Sequence, residues 1–237
     1  WKRMQIGFVF FWMSLAAAAA PQWFNQGTGP VNLGSNHPRE LSAESCRECH
    51  TQIYTDWKKS RHAGAWENTT FRHSFLAEPS QRCIYCHAPL DAQFREFDLA
   101  AITKPLPSGN IVIEGVNCAS CHVREGKVYG ANSIEENWRP HEGVAQEMRS
   151  AEFCAGCHQF NFDRTQNGKM EITDLPIQNT FAEWKDYENA GGKKTCITCH
   201  MPNHSHAFQG PHDLNFLRNS VRIQTKRNGN SVEFLIE

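Results

Sequence analysis

All ten cysteines of the chain fall into five pairs with the spacing Cys-x-x-Cys: Cys46/Cys49, Cys83/Cys86, Cys118/Cys121, Cys154/Cys157 and Cys196/Cys199. A histidine follows each pair directly, namely His50, His87, His122, His158 and His200. Cys-x-x-Cys-His is the attachment signature of c-type haem. Two thioether bonds fix the porphyrin through its vinyl groups, and the adjacent imidazole becomes the proximal iron ligand. A zinc ribbon, a dithiol redox couple and a structural disulfide also use a Cys-x-x-Cys pair, but none requires histidine in the fifth place. Histidine makes up 12 of 237 residues, so finding it after all five pairs by chance has odds of about 3 in 10 million. The motifs predict five covalently bound haem c groups, each holding an iron.

Seven further histidines stand outside the motifs: His37, His62, His73, His141, His204, His206 and His212. Five low-spin irons each need a sixth ligand, and there are enough imidazoles to supply one. His62 follows His50 by twelve residues. If that stretch is helical, the two rise about 18 Å apart and point roughly 120° away from each other. Opposed imidazoles on one iron place their Cα atoms about 12 Å apart with the rings face to face across the metal. His62 is therefore expected to reach a haem other than the one His50 holds. The methionines offer little competition: Met4 and Met13 lie in the N-terminal segment, Met201 directly follows a proximal histidine, and Met148 and Met170 read as packing residues.

The motif starts are 37, 35, 36 and 42 residues apart. Roughly forty residues per haem is too few for a separate protein core around each, so the porphyrins are expected to form much of the apolar interior. The predicted fold class is mainly α with extensive loop, a multihaem cytochrome c fold built around five covalent haems and ending in a β-hairpin. Residues 1–20 read as a secretory signal peptide with a basic start, an apolar run and a small-residue end. The alternative is an uncleaved anchor, which alone would bring membrane contact, but the run is short for a span. An irregular lead-in follows over 21–45, then the haem domain over 46–213. Haem attachment of this type occurs outside the cytoplasmic membrane, so a periplasmic or extracellular location is expected.

Within the haem domain, helices are predicted over Thr51–Glu67 and from Thr180, where Thr180 and Glu183 have capping-box spacing, to Gly191-Gly192. A loop over 104–110 precedes a strand predicted at Ile111–Val116. In residues 214–237 an Asn228-Gly229 turn predicts a hairpin pairing Thr225 with Val232, Ile223 with Phe234 and Val221 with Ile236. Its apolar face needs cover, which predicts that the hairpin starts a β domain continuing in a longer gene product.

The formal charge of −1 leaves out the haems. Each brings two propionates against about one net positive charge on ferric iron, so the holoprotein should be acidic. That argues against nucleic acid and for redox protein partners with a basic docking patch.

The sequence around the motifs resembles a known family. Tyr54, Trp57, Ser60, His62 and Ala63 after the first motif, EGVNCASCH at 114–122, CHMP at 199–202 and HAFQGPHD at 206–213 resemble the multihaem cytochromes c that include the nitrifiers' tetrahaem carrier, hydroxylamine oxidoreductase and pentahaem nitrite reductase. The resemblance implies haems packed in parallel and perpendicular pairs with distal histidines from remote segments. It implies that His62 caps the third haem, that His141 is a distal ligand, and that one or both of His206 and His212 bind iron. His73 is a fifth candidate, and His204 reads as a neighbour or propionate contact. The nitrite reductases carry Cys-x-x-Cys-Lys at the catalytic haem, whereas all five motifs here end in histidine.

Two functions compete. An electron carrier would have both axial sites filled by histidine, which holds potentials low relative to Met/His ligation. A multihaem oxidoreductase would keep one iron five-coordinate for a small nitrogen or sulfur compound, with His73 or His204 as an acid-base group. A filament in which subunits lend histidines to their neighbours' haems is a third reading that the sequence leaves open.

Overall fold

The computed structural model describes residues 41–95, 106, 109–124, 126–130, 141–166 and 169–236. Residues 1–20, read as a signal peptide, residues 21–40 of the lead-in with His37, and most of the 104–110 loop lie outside the described residues. Short helices alternate with small sheets. Helices α1 (Ala43–Arg47), α2 (Thr51–Lys58), α3 (Thr69–Ala77), α4 (Gln81–His87) and α5 (Asp91–Arg95) come first. After α6 (Cys118–His122), the strands β1 (Val123–Arg124), β2 (Lys127–Gly130) and β3 (His141–Val144) form a three-stranded sheet in that order. Helix α7 (Ala151–His158) leads into an antiparallel pair, β4 (Phe160–Gln166) and β5 (Lys169–Gln178), followed by α8 (Thr180–Asn189), α9 (Cys196–His200) and α10 (Leu214–Ser220). Strands β6 (Ile223–Asn228) and β7 (Ser231–Ile236) end the described chain as an antiparallel pair.

The fold thus holds more sheet than expected, and several local predictions need correction. The β4–β5 pair was not anticipated: its apolar residues alternate only over short stretches, Phe160 with Phe162 in β4 and Met170 with Ile172 in β5. Ile111–Glu114 is a 3-10 helix rather than a strand, opened by the Asn110 side chain, which accepts from the Val112 N–H. Helix α2 stops at Lys58, short of Glu67, and the chain continues to His62 through turns. Helix α8 starts where expected, but Asn179 is its N-cap and makes no side-chain cap bond, so the Thr180/Glu183 box does not form. In the last hairpin, Gly229 (φ +61°) lies just beyond the Asn228↔Ser231 pair, so Ile223 faces Ile236 and Thr225 faces Phe234. The register is two residues from the predicted one. Because side chains alternate with period two, the apolar residues still share one face.

No single core runs through the described residues; the buried apolar side chains form four small clusters, where a domain of this size normally has one contiguous core. Trp66, Phe75, Ile84, Ala88 and Val112 surround α4, with Cys83 against them. Leu41, Leu90, Ala119 and Val123 pack around α6. Ala145 and Met148 lie against Cys121 and Phe153, and Ala43, Trp57 and Ala63 against Cys118 and Phe208. Each cluster touches a cysteine or the helix that bears one.

Candidate haem centres

The first cysteine of every motif stands on a short helix that a small polar side chain opens. Ser42 accepts from the Glu44 N–H before Cys46, Ser80 from Arg82 before Cys83, and Ser150 from Phe153 before Cys154. Asn117 and Thr195 form full capping boxes with Ser120 and Thr198 around the third and fifth motifs. Such a cap satisfies amide donors that a helix of five to eight residues cannot. Side chains at positions i, i+3 and i+4 share one helix face. Both cysteines and the histidine therefore project to the same side, as attachment to one porphyrin demands. At the first motif α1 ends at Arg47, but the His50 N–H still donates to the Cys46 carbonyl at 2.9 Å and carries the turn through. These caps lie one to four residues ahead of the first cysteine, a signal in the sequence that the motif reading passed over.

Three motif histidines are oriented the same way. Nδ1 lies 2.7 Å from the Ala65 carbonyl for His87, 2.8 Å from that of Tyr129 for His122, and 2.5 Å from that of Gln209 for His200. A carbonyl only accepts, so Nδ1 carries the proton and Nε2 keeps its lone pair for a metal. Phe71 also stacks on the His87 ring at 3.6 Å and 5°, which fixes the plane of the imidazole.

Two of the spare histidines face motif histidines. His206 and His122 have ring centroids 6.2 Å apart at 30°, and His62 and His158 are also 6.2 Å apart, at 57°. With metal–nitrogen bonds near 2 Å, two imidazoles on opposite sides of one iron have centroids about 6.3 Å apart. Both pairs match that span. His206 Nδ1 lies 2.9 Å from the His204 carbonyl, which again leaves Nε2 for a metal. The loop that carries His206 has left-handed backbone at Asn203, His204 and Phe208, and Ser205 donates to Asp56 at 2.9 Å, pinning the loop to α2. The resemblance assigns His62 to the third haem; in the structure His206 lies opposite His122 of the third motif, and His62 lies beside His158 of the fourth.

His62 is half-buried. Its ring meets Phe208 edge-on at 4.1 Å, and its carbonyl accepts from the Val116 N–H at 3.0 Å. Burial first, then the charge of His158, lowers its pKa to about 4, so it is a neutral imidazole at ordinary pH. Burial likewise lowers the pKa of His87, His158 and His206. Gly115 (φ +59°) closes over the His62 backbone: a Cβ there would lie 2.6 Å from the His62 carbonyl oxygen. Buried Gln93 donates to the Gly115 carbonyl at 2.8 Å, and the Trp57 indole to that of Val116 at 2.9 Å.

The remaining candidates are placed less decisively. His73 is exposed on α3, and among the described residues no ring contact joins it to a motif histidine. His212 is exposed after Pro211. His141 opens β3, its backbone paired with Val128, and its side chain is outside the described set.

The motifs converge although they are far apart in sequence. All ten cysteines are free of disulfides. The Cys46 and Cys118 thiols interact directly, as do Cys86 with Cys157 and Cys154 with Cys196. Among the described residues no three His, Cys, Asp or Glu side chains gather around a common metal position, which is not the arrangement of a zinc ribbon. Paired thiols on one helix face, an imidazole with Nε2 outward and a second imidazole across an iron-sized gap fit haem c.

Comparison with known proteins agrees. Residues 45–123 match the family "Cytochrome c554 and c-prime", and residues 101–213 match "Outer membrane cytochrome MtrC/MtrF-like, domains II/IV". No curated protein matches the chain. The fold is similar to that of a penta-heme cytochrome c552 from Thermochromatium tepidum, with a TM-score of 0.56 and 21% identity over 83% of this chain. The chain spans 64% of the length of that protein. No helix among the described residues is long and apolar enough to cross a membrane. The repeated attachment motifs, the two partial family matches and the shared fold together support assignment to the multihaem cytochrome c superfamily.

Proposed function

We propose that the chain is an exported pentahaem c-type cytochrome that passes single electrons between redox protein partners through closely packed, mostly bis-histidine haems. The observation that carries this reading is the 6.2 Å spacing of two imidazole pairs, His206 with His122 and His62 with His158. An iron bonded on both sides has no open position for substrate, so it exchanges electrons only. Cys46, Cys49 and His50 would hold the first haem, Cys83, Cys86 and His87 the second, and Cys196, Cys199 and His200 the fifth, with the third and fourth capped as above. The thiol contacts between motifs favour short edge-to-edge paths, and the separate small clusters leave room for porphyrins as the shared interior. Export is supported by the chemistry of haem attachment and by the match to an outer-membrane cytochrome family.

Electron paramagnetic resonance of the oxidised holoprotein tests the reading. Low-spin signals throughout support it, whereas a high-spin signal that shifts on adding nitrite, hydroxylamine or sulfite would replace the carrier by an oxidoreductase. In His62→Ala one haem should become high-spin, the one on Cys154/Cys157, while the haem on Cys46/Cys49 stays low-spin. Change at the first haem instead would refute the remote cap.

A further inference from the structure

Glu114 belongs to no haem motif, yet its carboxylate ties two of them together. Its Oε1 accepts from the Ser42 hydroxyl at 2.5 Å, and its Oε2 accepts from the Ala43 N–H at 2.9 Å and from Asn117 Nδ2 at 2.7 Å. Ser42 is the N-cap of α1, which carries Cys46, and Asn117 is the N-cap of α6, which carries Cys118. Asn117 Nδ2 also donates to the Leu41 carbonyl at 2.9 Å, a second link between the same two segments. Each cap is complete without Glu114: Ser42 Oγ accepts from the Glu44 N–H, and Asn117 Oδ1 from the Ser120 N–H. The added bonds therefore set where one helix stands against the other. Cys118 is the first residue of α6, Cys46 lies one turn beyond Ser42, and Cys118 packs against the cluster that contains Ala43 of α1. The support for Glu114 is itself fixed, since buried Gln93 donates to the carbonyls of Ile111 at 2.9 Å and Gly115 at 2.8 Å. Bonds to a charged acceptor are short and strong, and here three of them converge on one side chain.

We infer that Glu114 is a positioning residue for electron transfer: its carboxylate fixes the separation and angle of the haems on Cys46/Cys49 and Cys118/Cys121, and so makes them a close pair. In each transfer between them one ferrous iron is oxidised as its ferric neighbour is reduced, with no other bond changed. The hydrogen bonds do the positioning, not the charge. Glutamine can meet the same partners, its oxygen toward Ala43 and Asn117 and its amide toward the Ser42 hydroxyl, which both donates and accepts. The inference rests on the haem assignment above but not on which histidine caps which iron.

Electron paramagnetic resonance of the fully oxidised holoprotein tests it in Glu114→Ala and Glu114→Gln. Unpaired spins on neighbouring ferric irons broaden each other's signals through a dipolar interaction that falls with the cube of their separation. In the alanine variant two of the five low-spin signals should lose that broadening while the other three keep theirs. The glutamine variant should retain it. A purely structural role would lower the midpoint of thermal unfolding in the alanine variant and leave the broadening in place. Ser42→Ala, which removes one of the three donors, replaces Glu114→Ala if that variant fails to fold, and should change the same two signals. Unchanged broadening, an equal change in all five signals, or a glutamine variant that changes as much as alanine would overturn the assignment. Failure of the haem reading appears separately, as a high-spin signal or fewer than five haems in the unsubstituted protein.

Discussion

Gly115→Ala is the sharpest perturbation of the haem wiring, because it alters no ligand. The Cβ of alanine would lie 2.6 Å from the His62 carbonyl oxygen, 3.1 Å from that of Ala63 and 3.1 Å from the Ala65 nitrogen, against 3.4 Å for ordinary contact. All three obstacles are backbone, so no rotamer relieves them. The Gly115 dihedrals, φ +59° and ψ −127°, are also closed to residues with a Cβ. Backbone strain costs about 1–3 kcal/mol and overpacking about as much again. At about 2–4 °C per kcal/mol for a chain of this size, the midpoint of thermal unfolding should fall by about 10 °C. The His62 segment must retreat by roughly 0.8 Å to restore contact, a large displacement for a metal–nitrogen bond of about 2 Å. The haem on Cys154/Cys157 should turn high-spin while all five haems stay covalently attached. Gly229→Ala is the control, since Gly229 has φ +61° and nothing within 4 Å. It should show the strain without the spin change. If Gly115→Ala matches that control in both stability and spin state, the packing of Gly115 against His62 does not position the ligand.

Other consequences follow from the same geometry. His206→Ala should make the haem on Cys118/Cys121 high-spin in electron paramagnetic resonance and leave the His62-capped haem low-spin. Because His62 is a base whose pKa falls from 6.5 to about 4 on burial, the unfolded chain takes up the proton first. Its contribution to folding and ligation is complete above pH 6.5 and is lost as pH falls through about 4. The low-spin spectrum of its haem should therefore be unchanged from pH 7 to pH 5 in a visible absorption titration, and loss at pH 6 would contradict the burial. Asn117→Ala removes bonds from Nδ2 to the Leu41 carbonyl at 2.9 Å and to Glu114 at 2.7 Å, along with the cap on Ser120. It should destabilise the protein by about 2–4 kcal/mol in thermal unfolding, with the third haem still bound.

The gathering of each Cys-x-x-Cys-His motif on one helical turn was legible in the sequence because it is local. Two cysteines and a histidine at i, i+3 and i+4 meet on one helical turn whatever the rest of the chain does, and the caps before them are local too. The placement of His62 beside a motif histidine other than His50 follows in the same way, since it needs only the length of chain between them. Which motif histidine it meets did not follow. That depends on the left-handed turns at Asn203, His204 and Phe208, which carry His206 to His122, and on Gly115, which seats His62 opposite His158. The strand predicted at Ile111–Val116 became a 3-10 helix because Asn110 caps it and Gln93 holds its carbonyls. Sequence spacing determines which groups bond to one porphyrin, because covalent attachment acts within a single turn. Only the tertiary structure decides which iron meets which distant imidazole, because that is set by contacts between segments as far apart as Asp56 and Ser205.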